Sequence, residues 1–125
     1  MGPIIKGFFW EPNRGLAAEA IMLEWSGKWE FPGGKIELWE TPEACLALEL
    51  KEEFEIDVAI GDYLGSNIHH YPHISIELMA YRAQWAGGVI NMNDHNEYRW
   101  VTVDQLAEFD FVPADVPFVY MLRDR

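Results

Sequence analysis

Four glutamates stand at fixed distances behind a glycine in the first half of the chain: Gly34 is followed by Glu40, then by Glu49, Glu52 and Glu53. Such a set suits a hard divalent cation, since magnesium takes one or two carboxylates together with water and substrate phosphate oxygens. The last three are spaced for a helix. At about 100° per residue, a helix from Pro42 to Phe54 places Leu46, Ala47, Leu50 and Phe54 on one side. Cys45, Leu48, Glu49, Glu52 and Glu53 fall on the other. Like charges three and four residues apart on a helix repel by a few tenths of a kcal/mol, roughly, for each pair. A solvated acidic face is the ordinary outcome of a charge run, whereas a bound cation turns the crowding into an advantage.

The lead-in Trp-Glu-Phe-Pro-Gly-Gly-Lys-Ile-Glu, from Trp29 to Glu37, adds a second landmark. With it the segment resembles the Nudix box, a loop-helix-loop whose glutamate-rich helix binds magnesium and so grips a nucleoside diphosphate linkage. The family pattern is G-x5-E-x7-R-E-U-x-E-E-x-G-U, where U is a bulky aliphatic. Gly34, Glu40, Glu49, Leu50, Glu52, Glu53 and Ile56 keep to it, while Leu48 replaces the arginine and Glu55 the second glycine.

The resemblance extends over nearly the whole chain and points to the branch that cleans oxidised or noncanonical nucleoside triphosphates. It implies an α+β fold, an alpha/beta/alpha sandwich around a mixed β-sheet. The implied reaction is attack of water on an oxidised or cytosine nucleoside triphosphate, yielding a monophosphate and pyrophosphate, with Mg2+ or Mn2+ as cofactor. By the same resemblance Glu40, Glu49, Glu52 and Glu53 are the metal ligands, and Glu53 or Asp94 activates the water. Asp94 lies six residues before Trp100, where the branch carries its candidate base. Lys35 would help hold the phosphates, and Asp115, in Val-Pro-Ala-Asp-Val-Pro, would read a base that offers an amino donor.

The departures from the pattern predict weakened turnover. Leu48 removes a cationic partner that apolar contact cannot replace. A left-handed conformation at Glu55 would cost roughly 1 kcal/mol, so the helix end is expected to be strained or rearranged. Trp39 stands beside Glu40 where relatives usually carry glycine, and Ala17, Ala18, Ala20, Met22 and Glu24 occupy the strand that bears substrate arginines in relatives. These changes gather at the mouth of the metal helix, which suggests an engineered scaffold remade for an apolar ligand. In that alternative Cys45 is a nucleophile toward a small activated ester, lined by Leu48 and Trp39 and assisted by His69, His70, His73 or His95. The competing expectation is that a lone helical cysteine packs as a small hydrophobe. A zinc site among the histidines matches no strong ligand spacing. A third alternative is a protein-binding face made from Trp10, Trp25, Trp29 and Trp39, without catalysis.

The secondary structure around these residues follows from the pattern. Ile4 to Trp10 reads as a strand, with Leu16 to Leu23 returning beside it as a hairpin. Thr41, Pro42 and Glu43 supply a cap, a first-turn proline and a carboxylate at the positive end of the central helix. Strands are expected over Val58 to Tyr63, Ile74 to Trp85, Val89 to Met92 and Tyr98 to Val101, with short helices over Val103 to Glu108 and Val116 to Leu122. A length of 125 residues, half of them hydrophobic, bounds one domain covering 1–125. The net charge of −12 opposes nucleic-acid binding, so a phosphate substrate would need a metal bridge. One cysteine and no apparent leader or membrane span read as a cytoplasmic protein, and the oligomeric state stays open.

Overall fold

The computed structural model describes residues 3–9, 19–25, 27–89 and 97–123. In chain order they form β1 (Ile4–Phe9), β2 (Glu19–Trp25), β3 (Lys28–Glu30), β4 (Gly33–Lys35), α1 (Pro42–Phe54), β5 (Asp57–His70), β6 (Ser75–Gly87), β7 (Glu97–Thr102) and α2 (Val116–Arg123). Two short 3-10 turns, Val103–Glu108 and Pro113–Asp115, precede α2. One sheet has the order β4-β1-β6-β5 and is mixed, because β1 runs parallel to β6 and antiparallel to β4. A second, antiparallel sheet has the order β3-β2-β7.

Side chains alternate across the mixed sheet and feed two cores. Ile5, Ala83, Leu46, Leu50, Phe54 and Ile56 pack on the α1 side. Leu78, Ala80, Leu106, Phe118, Val119 and Leu122 pack on the α2 side, with Ile4 against them. The sheet is therefore covered on both faces, and the mixed α+β sandwich expected from the sequence is the fold found.

Among the described residues the expected hairpin of the first two strands does not form, because β1 and β2 pair in different sheets. Ile4 and Ile5 each pack into a different core, so β1 is a strand covered on both faces. Such a strand belongs between neighbours inside a covered sheet. The strand expected from Val58 continues to His70, placing His69 and His70 on β5. Val89 lies beyond β6 and outside any strand, while β7 joins the second sheet. The remainder of the Val89 to Met92 strand lies outside the described residues, as do Ala17 and Ala18.

The start of α1 follows its sequence signals: Thr41 Oγ1 accepts from the Ala44 amide at 3.1 Å, with Pro42 in the first turn. Its end is not rearranged. Glu55 takes the left-handed conformation at φ 60°, ψ 32°, and its N–H donates to the Lys51 carbonyl at 2.9 Å. The strain expected of a side chain at this position is thus accepted in place. Glu55→Gly should raise unfolding stability by roughly 1 kcal/mol in a denaturant titration, since glycine adopts this conformation without steric cost. A loss of stability would show that the Glu55 side chain makes a compensating contact.

Candidate active site

α1 carries Glu49 across to the glycine strand. A Cβ added to Gly34 would lie 2.3 Å from the Glu49 carboxyl carbon and 2.6 Å from Oε1, so only a glycine lets this carboxylate lodge against β4. Burial, followed by the charges of Glu52, Glu40 and Glu53, pushes the Glu49 carboxyl above its ordinary range. The other three framed glutamates thus bear electrostatically on Glu49, two of them from the same helix and Glu40 from the loop before it. Glu40 reaches back from the loop, with Oε1 accepting from the Glu37 amide at 3.0 Å.

Among the described residues no three carboxylates, histidines or cysteines converge into a ready-made metal cage. The donor set nevertheless fits a hard cation of the magnesium type, which asks for few protein ligands and retains several waters. The notch at Gly34 and the mutual repulsion around Glu49 are the local features that such a cation would relieve.

On the other face of the mixed sheet lies a cleft of about 530 Å³ between β1, β6 and the turn before α2. Ile4 and Leu78 supply apolar wall, His69 and Tyr71 also line it, and Lys6, Glu30 and Asp115 line it with charge. Asp115 is completely buried, and its Oδ2 accepts from the Phe31 amide at 2.9 Å and lies 3.2 Å from Lys6 Nζ. Its Oδ1 is buried with no hydrogen-bond partner. Burial holds the Asp115 carboxyl above its ordinary range, with Glu30 adding to the rise and Lys6 and the Phe31 amide offsetting only part of it.

The cleft and the glutamate helix meet around an edge. β4 is the edge strand, its residues Gly33, Gly34 and Lys35 opposing Lys6, Ile5 and Ile4. Directly opposed residues share a face, so Lys35 stands on the cleft side with Ile4, and Gly34 on the Glu49 side with Ile5. Lys35 is exposed. Two glycines in a row leave this edge bare of side chains between the cleft and the acidic helix.

Of the two expectations for Cys45, its placement agrees with the packing one. It is 1% exposed, belongs to the core on the α1 side, and donates from Sγ to the Lys35 carbonyl at 3.3 Å. Burial, then Glu40 and Glu49, push its thiol up to about 12. His69 lines the cleft on the opposite face of the sheet, and His70 Nδ1 pairs with Ser75 Oγ at 2.6 Å. Cys45 is accordingly a packing residue, because a nucleophile needs access and a lowered thiol pKa. The helical projection erred because Cys45 sits in the first turns of α1, where the β4 backbone covers what would otherwise be the exposed flank. A raised pKa keeps the thiol protonated, so alkylation by iodoacetamide should still be climbing tenfold per pH unit above pH 9, where an ordinary thiol levels off. A plateau near pH 9 at free-thiol rates would contradict the buried placement.

Trp39 is 82% exposed and Leu48 48% exposed, so neither walls the apolar pocket expected of a remade scaffold. Trp29 is half-buried, packed edge-on against Phe109 at 5.5 Å with Arg99 over its ring, which removes it from a free aromatic face. Trp10, Asp94 and His95 lie outside the described residues. Sequence reasoning missed Lys6. The available signal was a lysine interrupting the β-branched and aromatic run from Ile4 to Phe9.

Residues 23–120 match the family of the NUDIX domain. Over 95 residues the chain is 42% identical to a putative 8-oxo-dGTP diphosphatase 2 of Mycobacterium tuberculosis, covering 74% of this chain and 66% of that protein. It is 29% identical over 104 residues to the CTP pyrophosphohydrolase of Escherichia coli, covering 83% of this chain and 77% of the relative. The solution structure of the E. coli ORF135 protein superposes with a TM-score of 0.83 at 21% identity, covering 98% of this chain and 88% of that one. That likeness concerns the fold alone.

Proposed function

Because this chain belongs to the NUDIX domain family, a family of hydrolases, we propose that it hydrolyses a nucleoside triphosphate, of cytosine or of an oxidised base, to the monophosphate and pyrophosphate. The observation that carries the proposal is Glu49 lodged in the Gly34 notch, its carboxyl raised by burial and by Glu52, Glu40 and Glu53. Glu40, Glu49, Glu52 and Glu53 would hold magnesium or manganese, which when bound supplies Lewis-acid polarisation of a phosphoryl oxygen and neutralises developing charge.

The remaining work falls to the chain itself. Glu53 takes the proton of the attacking water as general base, with Asp94 the other candidate for that role. Lys35, on the exposed edge, pairs with the polyphosphate. Asp115 accepts a hydrogen bond from the base through its unpartnered Oδ1. Among the described residues no helix is long and apolar enough to cross a membrane, and we place the protein in the cytoplasm as part of the same proposal.

Calorimetric titration with magnesium and manganese tests the metal part. Binding in the millimolar range or tighter, weakened in Glu52→Gln, is expected; no heat with either protein would overturn it. We also propose that turnover is submaximal. Leu48, half exposed beside Glu49, places no cation where the carboxylates need orienting. Leu48→Arg should raise kcat/KM by about tenfold, the scale of groups that orient metal ligands, with Trp39→Gly adding to it. Unchanged kcat/KM would show that the present loop already holds Glu49 correctly.

A further inference from the structure

Lys6 is a buried charge to which the proposed reaction gives no role. It is 8% exposed in the middle of a covered strand, where a lysine ammonium is held away from water. An ammonium has three donors, and two are engaged here: one by the Phe31 carbonyl at 3.0 Å and one by Asp115 Oδ2 at 3.2 Å. The same cleft is lined by Asp115, whose Oδ1 is buried and has no partner. A buried ion pair is weak evidence for stability on its own account, so its spare donor and open acceptor call for another partner. In a cleft of about 530 Å³ with apolar walls at Ile4 and Leu78, that partner is a flat ring with polar atoms along one edge.

We infer that Lys6 is a second base-reading residue, whose ammonium donates to an acceptor on the base next to the donor that Asp115 accepts. The inference rests on the nucleotide proposal and narrows it. An edge with a donor beside an acceptor is required, in that order. Cytosine meets the requirement with its 4-amino group and N3; uracil reverses the order with O4 and N3–H. An 8-oxoguanine meets it with N7–H and O6; guanine presents an acceptor at N7 and can meet it only with N1–H and O6. Each of these edges sets a donor beside an acceptor, and Lys6 selects for the acceptor half of it.

Binding of monophosphates to the intact protein, followed by calorimetry, tests this without requiring catalysis. CMP is compared with 3-deaza-CMP, which lacks the N3 acceptor, and 8-oxo-dGMP with its analogue lacking O6. Each comparison is repeated in Lys6→Met. The wild-type chain should bind at least one parent base about tenfold or more tightly than its acceptor-deleted analogue, and Lys6→Met should bring that ratio to about one. A lysine that only props up Asp115 would weaken all ligands alike and leave the ratio unchanged, which overturns the inference. If Lys6→Met does not fold, Lys6→Met/Asp115→Asn removes both charges together, and the wild-type ratio alone still decides: equal binding of parent and analogue overturns the inference. Wild-type hydrolysis of triphosphates together with equal binding sinks the role of Lys6 and spares the nucleotide proposal. Absence of both hydrolysis and binding sinks the two together.

Discussion

Glu52→Gln is expected to lower kcat for a nucleoside triphosphate by about 10²–10³-fold, the scale of removing one preorganised electrostatic group from a transition state. The substitution keeps the shape of the side chain and removes its charge. Glu52 belongs to the field that raises Glu49, so its neutralisation weakens the attraction for a cation and leaves the carboxylate in the Gly34 notch less crowded. Glu53→Gln should fall at least as far, because it also removes a proton acceptor. Glu43→Gln changes the same charge in the first turn of α1, away from the notch, and serves as the control. Steady-state rates at saturating magnesium separate the outcomes. Equal, small losses in all three variants would mean that general acidity of the helix matters and the framed positions do not.

Asp115→Ala should destabilise the fold by about 3–5 kcal/mol, because it leaves the Lys6 ammonium buried without its counter-charge. The Phe31 amide loses its acceptor at the same time. For a domain of this size the loss corresponds to a fall of roughly 10–20 °C in Tm. Lys6→Met added to Asp115→Ala should recover most of that loss, since neutral side chains at both positions leave no unpaired charge. Differential scanning calorimetry on the two variants checks the pair directly. A Tm for Asp115→Ala within a few degrees of wild type would show that water or movement of Lys6 relieves the charge, and that the cleft is less enclosed than its geometry indicates.

The glutamate frame, the helix that carries it and the cap at Thr41 were legible in the sequence because each depends on local chemistry. A hydroxyl, a proline and a period of 3.6 act within one turn or two, whatever surrounds them. The cost at Glu55 was legible for the same reason, although a single left-handed residue proved an acceptable end to α1. Strand pairing was not legible. β1 joins β4 and β6, and β2 joins β3 and β7, a choice made by which core covers each face. Cys45 shows the same limit on a smaller scale. A helical projection separates faces by angle alone, and the β4 backbone covers part of the face that the glutamates share. Lys6 and Asp115 are 109 positions apart in sequence and meet only because β1 and the turn before α2 are brought against one cleft. Placing Cys45 in the core also withdraws the nucleophile on which the ester-cleaving alternative depended.

The proposed reaction breaks the bond between the α- and β-phosphates. Incubating the protein with magnesium and either CTP or 8-oxo-dGTP, and resolving the products by phosphorus NMR, reads it directly. Nucleoside monophosphate and pyrophosphate are expected in equal amounts from at least one of the two, with neither formed in Glu52→Gln beyond a trace. Diphosphate and inorganic phosphate as the products, or both triphosphates intact after prolonged incubation at millimolar magnesium, would contradict it.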